Sequence, residues 1–170
     1  EVFMPVKDLH SLLKHELGDL YYAEKHILKA LKKMTKEATD AALRERMVRH
    51  QSETEDQLER IERAFAALDL KPKAQKCPGI LGIIEEHKEF KEKEEPSKQT
   101  LAAFDLGSGL RVEHYEIAAY RGIIALAKAL GEREVADLMA QNLAEEVDME
   151  RFLVTNSLRA LKEQARVEAA

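Results

Sequence analysis

One cysteine, four prolines and seven glycines are spread over 170 residues, and each scarcity excludes something. A single Cys77 rules out an internal disulfide framework and suits a reducing compartment, leaving an intermolecular bridge open. So little Gly and Pro leaves no material for the turns that many strands would need. No apolar run approaches the roughly 20 residues of a membrane-spanning helix, and no leader of basic, apolar and small-residue regions is visible at the N-terminus. The net charge of −5 comes with both signs interspersed, so there is no basic stripe to track nucleic acid or an anionic membrane. The expectation is a cytoplasmic protein without nucleic-acid or membrane partners.

What the chain does have is 45% hydrophobic and 35% charged residues, the balance of long amphipathic helices. Its length fits one domain, 1–170, with a core large enough to stand without disulfides. Leu9, Leu13, Leu17, Leu20, Ile27, Leu28 and Leu31 recur at three- and four-residue steps, the period of one helix face, and predict a first helix over about 6–36. Thr39 and Asp40 offer capping oxygens to a second, which runs over Leu43, Met47, Ile61, Phe65 and Leu68 until Lys71-Pro72 stops it near 70. So short a connection makes the two an antiparallel hairpin.

Residues 71–97 hold three of the four prolines, an apolar run from Ile80 to Ile84 and a charged segment to Glu95. They read as a crossover with one short helix. Ser97 caps a helix over 98–130, with Leu101, Phe104, Leu110, Ile117, Ile124 and Leu130 on its face, and Gly131 stops it. The last helix, 133–165, carries Val135, Leu138, Met139, Leu143, Met149, Leu153 and Leu161. The predicted fold is all-α: two hairpins joined by a long crossover, the topology of ferritin-like four-helix bundles.

Acidic residues interrupt these apolar stripes. Glu24 sits where the first helix calls for hydrocarbon; the second is polar over His50, Thr54 and Gln57 with Glu53 adjacent; the third carries Glu113 and Glu116; the fourth has Glu146, flanked by Glu145 and Glu150. All lie near the midpoints of their helices and so near one level of the bundle. An unpaired buried carboxylate is costly enough that several at one level require protonation, pairing or cations. Lys and Arg are nearly absent from these stripes, whereas two divalent ions bring about as many positive charges as there are carboxylates. Tyr21, Tyr22, Tyr115 and Tyr120 read as core residues with satisfied hydroxyls. Asp19, Glu16 and Glu37 read as solvated face, and His10, His15, His26 and His87 as surface.

The segments Asp19-Leu-Tyr-Tyr-Ala-Glu24-Lys, Glu113-His-Tyr-Glu116-Ile-Ala-Ala-Tyr120 and Leu143-Ala-Glu-Glu146 resemble the YciF/YciE-like stress proteins, bacterial members of the ferritin-like superfamily. The resemblance implies a small cytoplasmic dimer associated with stress responses, with a bundle like those that hold the di-iron carboxylate sites of rubrerythrins and ferritins. By position it carries over Glu24, Glu53, Glu113 and Glu146 as metal ligands, and His50, Glu116 and Glu150 join them as further candidates. The pattern departs from the two Glu-x-x-His motifs usual in such bundles: the second helix reads His50-x-x-Glu53, and Met149 follows Glu146 at the histidine position. An oxygen-rich set with at most one imidazole suits iron or manganese. The expected chemistry is ferroxidase-like or peroxide-consuming, with Glu113 and one of Glu53 or Glu146 as bridges; the electron donor is unknown. The alternative is a non-catalytic structural dimer with a vestigial or purely structural metal site.

Overall fold

The computed structural model describes residues 6–38 and 40–169. Thr39, one of the two expected capping residues, lies outside the described residues. The described chain forms α1 (Leu9–Glu37), α2 (Ala41–Ala67), α3 (Pro78–Lys93), α4 (Lys98–Leu130) and α5 (Arg133–Glu168), with no strand among the described residues.

Local chemistry sets the ends. Asp8 accepts from the Ser11 N–H at 2.7 Å while Ser11 Oγ accepts from the Asp8 N–H at 3.1 Å, a reciprocal box that satisfies two otherwise orphaned donors. Asp40 Oδ1 caps α2 through the Leu43 N–H at 2.7 Å, and Ser97 Oγ caps α4 through that of Thr100 at 3.1 Å. Gly131, with φ 81°, ends α4 in the left-handed conformation that glycine adopts without steric cost. The second helix stops at Ala67, short of the expected 70, because Asp69 takes up a left-handed φ of 55°. Leu70 nevertheless packs against the core. The crossover helix is longer than the apolar run that announced it: α3 takes in the charged segment, and its Phe90 stacks on Phe104 of α4 at 3.7 Å between centroids.

In the bundle, α1 packs against α2 and α4, and α5 against α2 and α4, so α1 faces α5 across one diagonal and α2 faces α4 across the other. The crossover returns the chain along the bundle. Gln75 N–H donates to the Gly18 carbonyl early in α1 at 2.8 Å, whereas Lys91 near the end of α3 reaches Glu37 at the end of α1 at 3.3 Å. Hence α2 and α4 run parallel, and the sequence-predicted topology is the one observed.

Among the described residues the apolar side chains form three clusters, one of them, Ala23, Ile27, Cys77 and Ile80, under α3 and the other two along the bundle. Of these two, one holds Leu13, Leu17, Ile61, Phe65, Ile123 and Met139; the other holds Leu31, Met47, Leu106, Met149 and Leu153. Between them lies a buried polar layer. Two leucines assigned to inner faces are outside: Leu9 is 53% and Leu161 46% exposed. Leu9 opens α1, and Arg159 already reaches Asp40, the cap of α2, at 3.8 Å, so Leu161 lies beyond the α1–α2 turn with nothing opposite it. No described helix is long and apolar enough to cross a membrane.

At Gly18 the crossover touches α1. A Cβ there would lie 2.8 Å from the Lys73 carbonyl oxygen, while one at Gly122 would meet nothing within 4 Å. Ala is worth about 1 kcal/mol over Gly inside a helix, and displacing packed backbone costs about 1–3 kcal/mol. Gly122→Ala is therefore expected to raise the denaturation midpoint and Gly18→Ala to lower it; stabilisation by both would contradict the close approach of the crossover.

Candidate metal centre

The polar layer is built from all four long helices. Glu24 comes from α1, His50 from α2, Glu113 and Glu116 from adjacent turns of α4, and Glu146 from α5; none is more than 4% exposed. They form two groups, His50–Glu113–Glu146 and Glu24–Glu116–Glu146, in each of which the candidate ligand atoms lie within 4.8 Å of one another. Glu146 is common to both. His50 Nε2 stands 3.5 Å from Glu113 Oε1 and 3.7 Å from Glu146 Oε2.

A shell of hydrogen bonds orients these groups. The other ring nitrogen of His50, Nδ1, lies 3.3 Å from Glu53 Oε2, and that carboxylate is held by Arg46 Nη1 and Arg49 Nε, both at 2.8 Å. Such an imidazole–carboxylate pairing fixes the ring and leaves the opposite nitrogen free to ligate, the usual arrangement behind a metal-bound histidine. The Tyr120 hydroxyl donates to Glu24 Oε1 and accepts from Asn142 Nδ2 at 3.0 Å. Gln57 Nε2 donates to Glu146 Oε1 and, at 3.0 Å, to Glu145 Oε2. Arg60 clamps Glu145 at 2.7 and 2.8 Å and donates to Asn142 Oδ1 at 2.6 Å.

Even so, one oxygen on each of the four inner carboxyl groups, Oε2 of Glu24, Glu113, Glu116 and Glu146, is buried with no hydrogen-bond partner. Burial pushes Glu24 up to about 7, against the pull of the Tyr120 hydroxyl. Burial and the neighbouring carboxylates push Glu116 and Glu146 well above the carboxylate range. For His50 burial acts downward, but Glu113 and Glu53 overcome it and hold the imidazole up at about 10. Each shift records the same shortage of positive charge. Carboxylate oxygens and one imidazole, converging without enough donors, form a donor set that could hold a metal ion.

Of the candidates read from the sequence, Glu24, Glu113, Glu146, His50 and Glu116 come together. Glu53 stands behind His50, not among the facing oxygens, because two arginines engage it; burial notwithstanding, His50 and Arg46 hold it down at about 2. Glu150 is apart, half-buried and 3.9 Å from the exposed His114. Of the expected bridges, Glu113 with one of Glu53 or Glu146, Glu146 is common to both groups and Glu113 belongs to one. Met149, at the histidine position of α5, packs in an apolar cluster. Asp19, assigned to solvated face, accepts from the Tyr115 hydroxyl at 2.7 Å, and that hydroxyl lies 2.8 Å from the buried Cys77 Sγ; burial raises the Cys77 thiol. Sequence reasoning passed over Arg46, Arg60 and Asn142. Asn142 and Arg46 each lie one turn before a ligand candidate, Glu146 and His50, and that i, i+4 spacing was the available signal.

The sequence profile of the family described as Domain of unknown function (DUF892) matches residues 8–166. The chain belongs to the DUF892 family. Protein YciF of Escherichia coli (strain K12) is 36% identical over 144 residues, 84% of this chain and 86% of YciF. Among solved structures, YcfI of Rhodopseudomonas palustris superposes with a TM-score of 0.86 at 37% identity, covering 91% of this chain and 98% of YcfI. The crystal structure of the E. coli stress protein YciF gives 0.82 at 31% identity, covering 92% and 98%. A Xanthomonas campestris protein, at 22% identity, shares the fold with a TM-score of 0.77 over 96% of this chain and 100% of its own.

In the metal-free DUF892 chain these shifts have one sign. A carboxyl raised in the folded state stabilises while it is protonated, and the benefit is lost as pH rises from its unfolded value through the folded one, about 7 for Glu24. His50, raised to about 10, loses its contribution over a higher interval in the same direction. Glu53, lowered to about 2, already contributes in full above its unfolded value. The melting temperature of metal-free protein should therefore fall from about pH 5 to about pH 8, and ferrous or manganous ion should reverse the trend, since ligation requires the deprotonated groups. A metal-free melting temperature that climbs across that interval would contradict the assignment.

Proposed function

We propose that this chain holds two divalent ions, iron or manganese, in a carboxylate centre and uses them in ferroxidase-like or peroxide-consuming chemistry as a stress-associated protein. The observation that carries the reading is the set of four buried carboxylate oxygens without a hydrogen-bond partner, gathered at one level of the bundle. His50, Glu113 and Glu146 would hold one ion, and Glu24, Glu116 and Glu146 the other. When bound, such a pair supplies electrons for the reduction of dioxygen or peroxide.

The chain's own residues set the conditions for that chemistry. Glu146 joins the two positions, and Gln57 fixes its other oxygen. Glu53 orients the imidazole of His50. Tyr120 donates its hydroxyl proton to Glu24, its phenol kept protonated by burial and by Glu24. Burial of these side chains strengthens the charge interactions inside the layer. The E. coli relative is a stress protein, and the stress-associated role proposed here follows from that likeness. The exposed row Val154, Leu158 and Leu161 on α5 is where a second copy would pack to make the dimer.

A second reading has its own support. The raised Glu24, Glu116 and Glu146 describe a layer that protons alone satisfy, as in a non-catalytic structural protein. Anaerobic titration with ferrous ion separates the two. Wild type should bind two equivalents, Glu24→Ala one, and Glu146→Ala neither tightly, while Glu53→Gln should keep both with affinity weakened roughly 10–100-fold. Loaded wild type should then consume oxygen or peroxide, and Glu146→Ala should not. Binding no stronger in wild type than in Glu146→Ala would leave the structural reading in place; binding without turnover would make the centre structural.

A further inference from the structure

The two ligand groups of the polar layer differ in access. A cavity of about 760 Å³ starts at His50 and Glu113 and runs to the end of the bundle where α1 gives way to α2 and α4 begins. Of the five layer residues only these two line it; Glu24, Glu116 and Glu146 do not. Along α4 it extends from Glu113 back to Lys98, roughly 22 Å at the helical rise. Native interiors carry few voids larger than a water molecule, and this one has the dimensions of a ligand site. A molecule in the cavity thus meets the layer at the His50–Glu113–Glu146 group and not at the Glu24–Glu116 side.

The lining describes the occupant. Between the two ends the walls are apolar and buried, with Ile27, Leu31, Met47, Leu106, Met149 and Leu153 drawn from all four long helices. At the mouth three acidic residues, Glu37, Asp40 and Asp105, meet three basic ones, Lys91, Lys98 and Arg159. Lys91 engages Glu37 at 3.3 Å, and Arg159 lies 3.8 Å from Asp40. No net charge gathers there to hold an ionic head group. The inner end lacks a donor instead: Glu113 is 4% exposed, and its Oε2 has no hydrogen-bond partner. An occupant that suits both ends is uncharged, lays hydrocarbon along the walls and brings an O–H group to Glu113.

We propose that the cavity admits an organic hydroperoxide, its single alkyl chain along the apolar walls and its O–O–H group at His50 and Glu113. Such a substrate presupposes the metal centre proposed above and narrows its peroxide to one that carries hydrocarbon. Hydrogen peroxide alone would leave the walls unused, since the cavity is many times the roughly 30 Å³ share of one water molecule. An ammonium head at the inner end would compete with the ions for the same oxygens, and a carboxylate head would be repelled by them. The O–O bond of the hydroperoxide breaks as it takes one electron from each of two ferrous ions and two protons from solvent, leaving an alcohol, water and two ferric ions. The alcohol keeps the tail and the O–H group, so it reports on the cavity without any metal.

Calorimetric titration of the metal-free full chain with octan-1-ol and decan-1-ol tests the cavity, with native mass spectrometry to count the ligand. One saturable site is expected, tightening by up to about four-fold per methylene and stronger for octan-1-ol than for octanoate or octylammonium. Ala103→Phe and Ala30→Phe, which fill the cavity from α4 and α1, should abolish it with helicity and ferrous stoichiometry as in wild type. If one variant fails to fold, the other and the tail-length series decide. In crystals soaked with 8-bromooctan-1-ol, the bromine should scatter near Lys98 and not beside Glu113. Single-turnover mixing of the ferrous-loaded chain with subsaturating octyl hydroperoxide should yield one octan-1-ol for two ferric ions. It should run at least about ten-fold faster than with equal hydrogen peroxide, and the filled variants should lose that preference. No saturable alcohol site, tighter binding of either charged amphiphile, bromine beside Glu113, or hydrogen peroxide reacting as fast as octyl hydroperoxide would overturn the proposal. Absence of ferrous uptake would overturn the reading of the centre and the reduction with it, whereas the metal-free titration decides the alcohol site regardless.

Discussion

Negative charge confined in a buried layer is the constraint around which this molecule is arranged. Four carboxyl groups from α1, α4 and α5 approach one imidazole from α2, and each retains an oxygen that no donor reaches. Removing such groups from water costs far more than a marginally stable domain spares, so the layer has to be neutralised by protons or by cations. The two solutions compete for the same oxygens. That competition links the pH dependence of the fold to the occupancy of the site.

The rest of the architecture supports the layer. Apolar clusters above and below it provide the burial that favours folding. Donors that do reach the layer come from one side: Gln57, Asn142 and Tyr120 hold one oxygen each or hold one another, with Arg60 and Glu145 closing the network toward the surface. On the opposite side Glu53 holds the imidazole and is itself neutralised by Arg46 and Arg49. The arginines thus stop one shell short of the centre, where the one basic group is His50.

The helical period made the bundle legible, and a carboxylate on an apolar stripe was enough to place Glu24, Glu113 and Glu146 inside. What the period could not supply was the second side chain that each polar group meets. Glu53 and His50 sit three residues apart, and the helical period alone does not decide which of the two points inward. Buried Arg46 answers Glu53 from the same helix, so the histidine takes the inner place. Glu150 falls outside for a related reason: one turn beyond Glu146, it is rotated far enough to reach His114 near the surface. Helix ends were read to within a few residues, and the largest misses, Leu9 and Leu161, are exposed near the ends of their helices. Nothing in a one-dimensional pattern shows where a neighbour ends.

Anomalous diffraction from crystals grown with manganous ion tests the central claim most directly. Two peaks are predicted, one among His50, Glu113 and Glu146 and the other among Glu24, Glu116 and Glu146, with Glu146 reaching both. A layer free of anomalous density at saturating manganese, its carboxyl groups paired with one another through shared protons, would contradict the account.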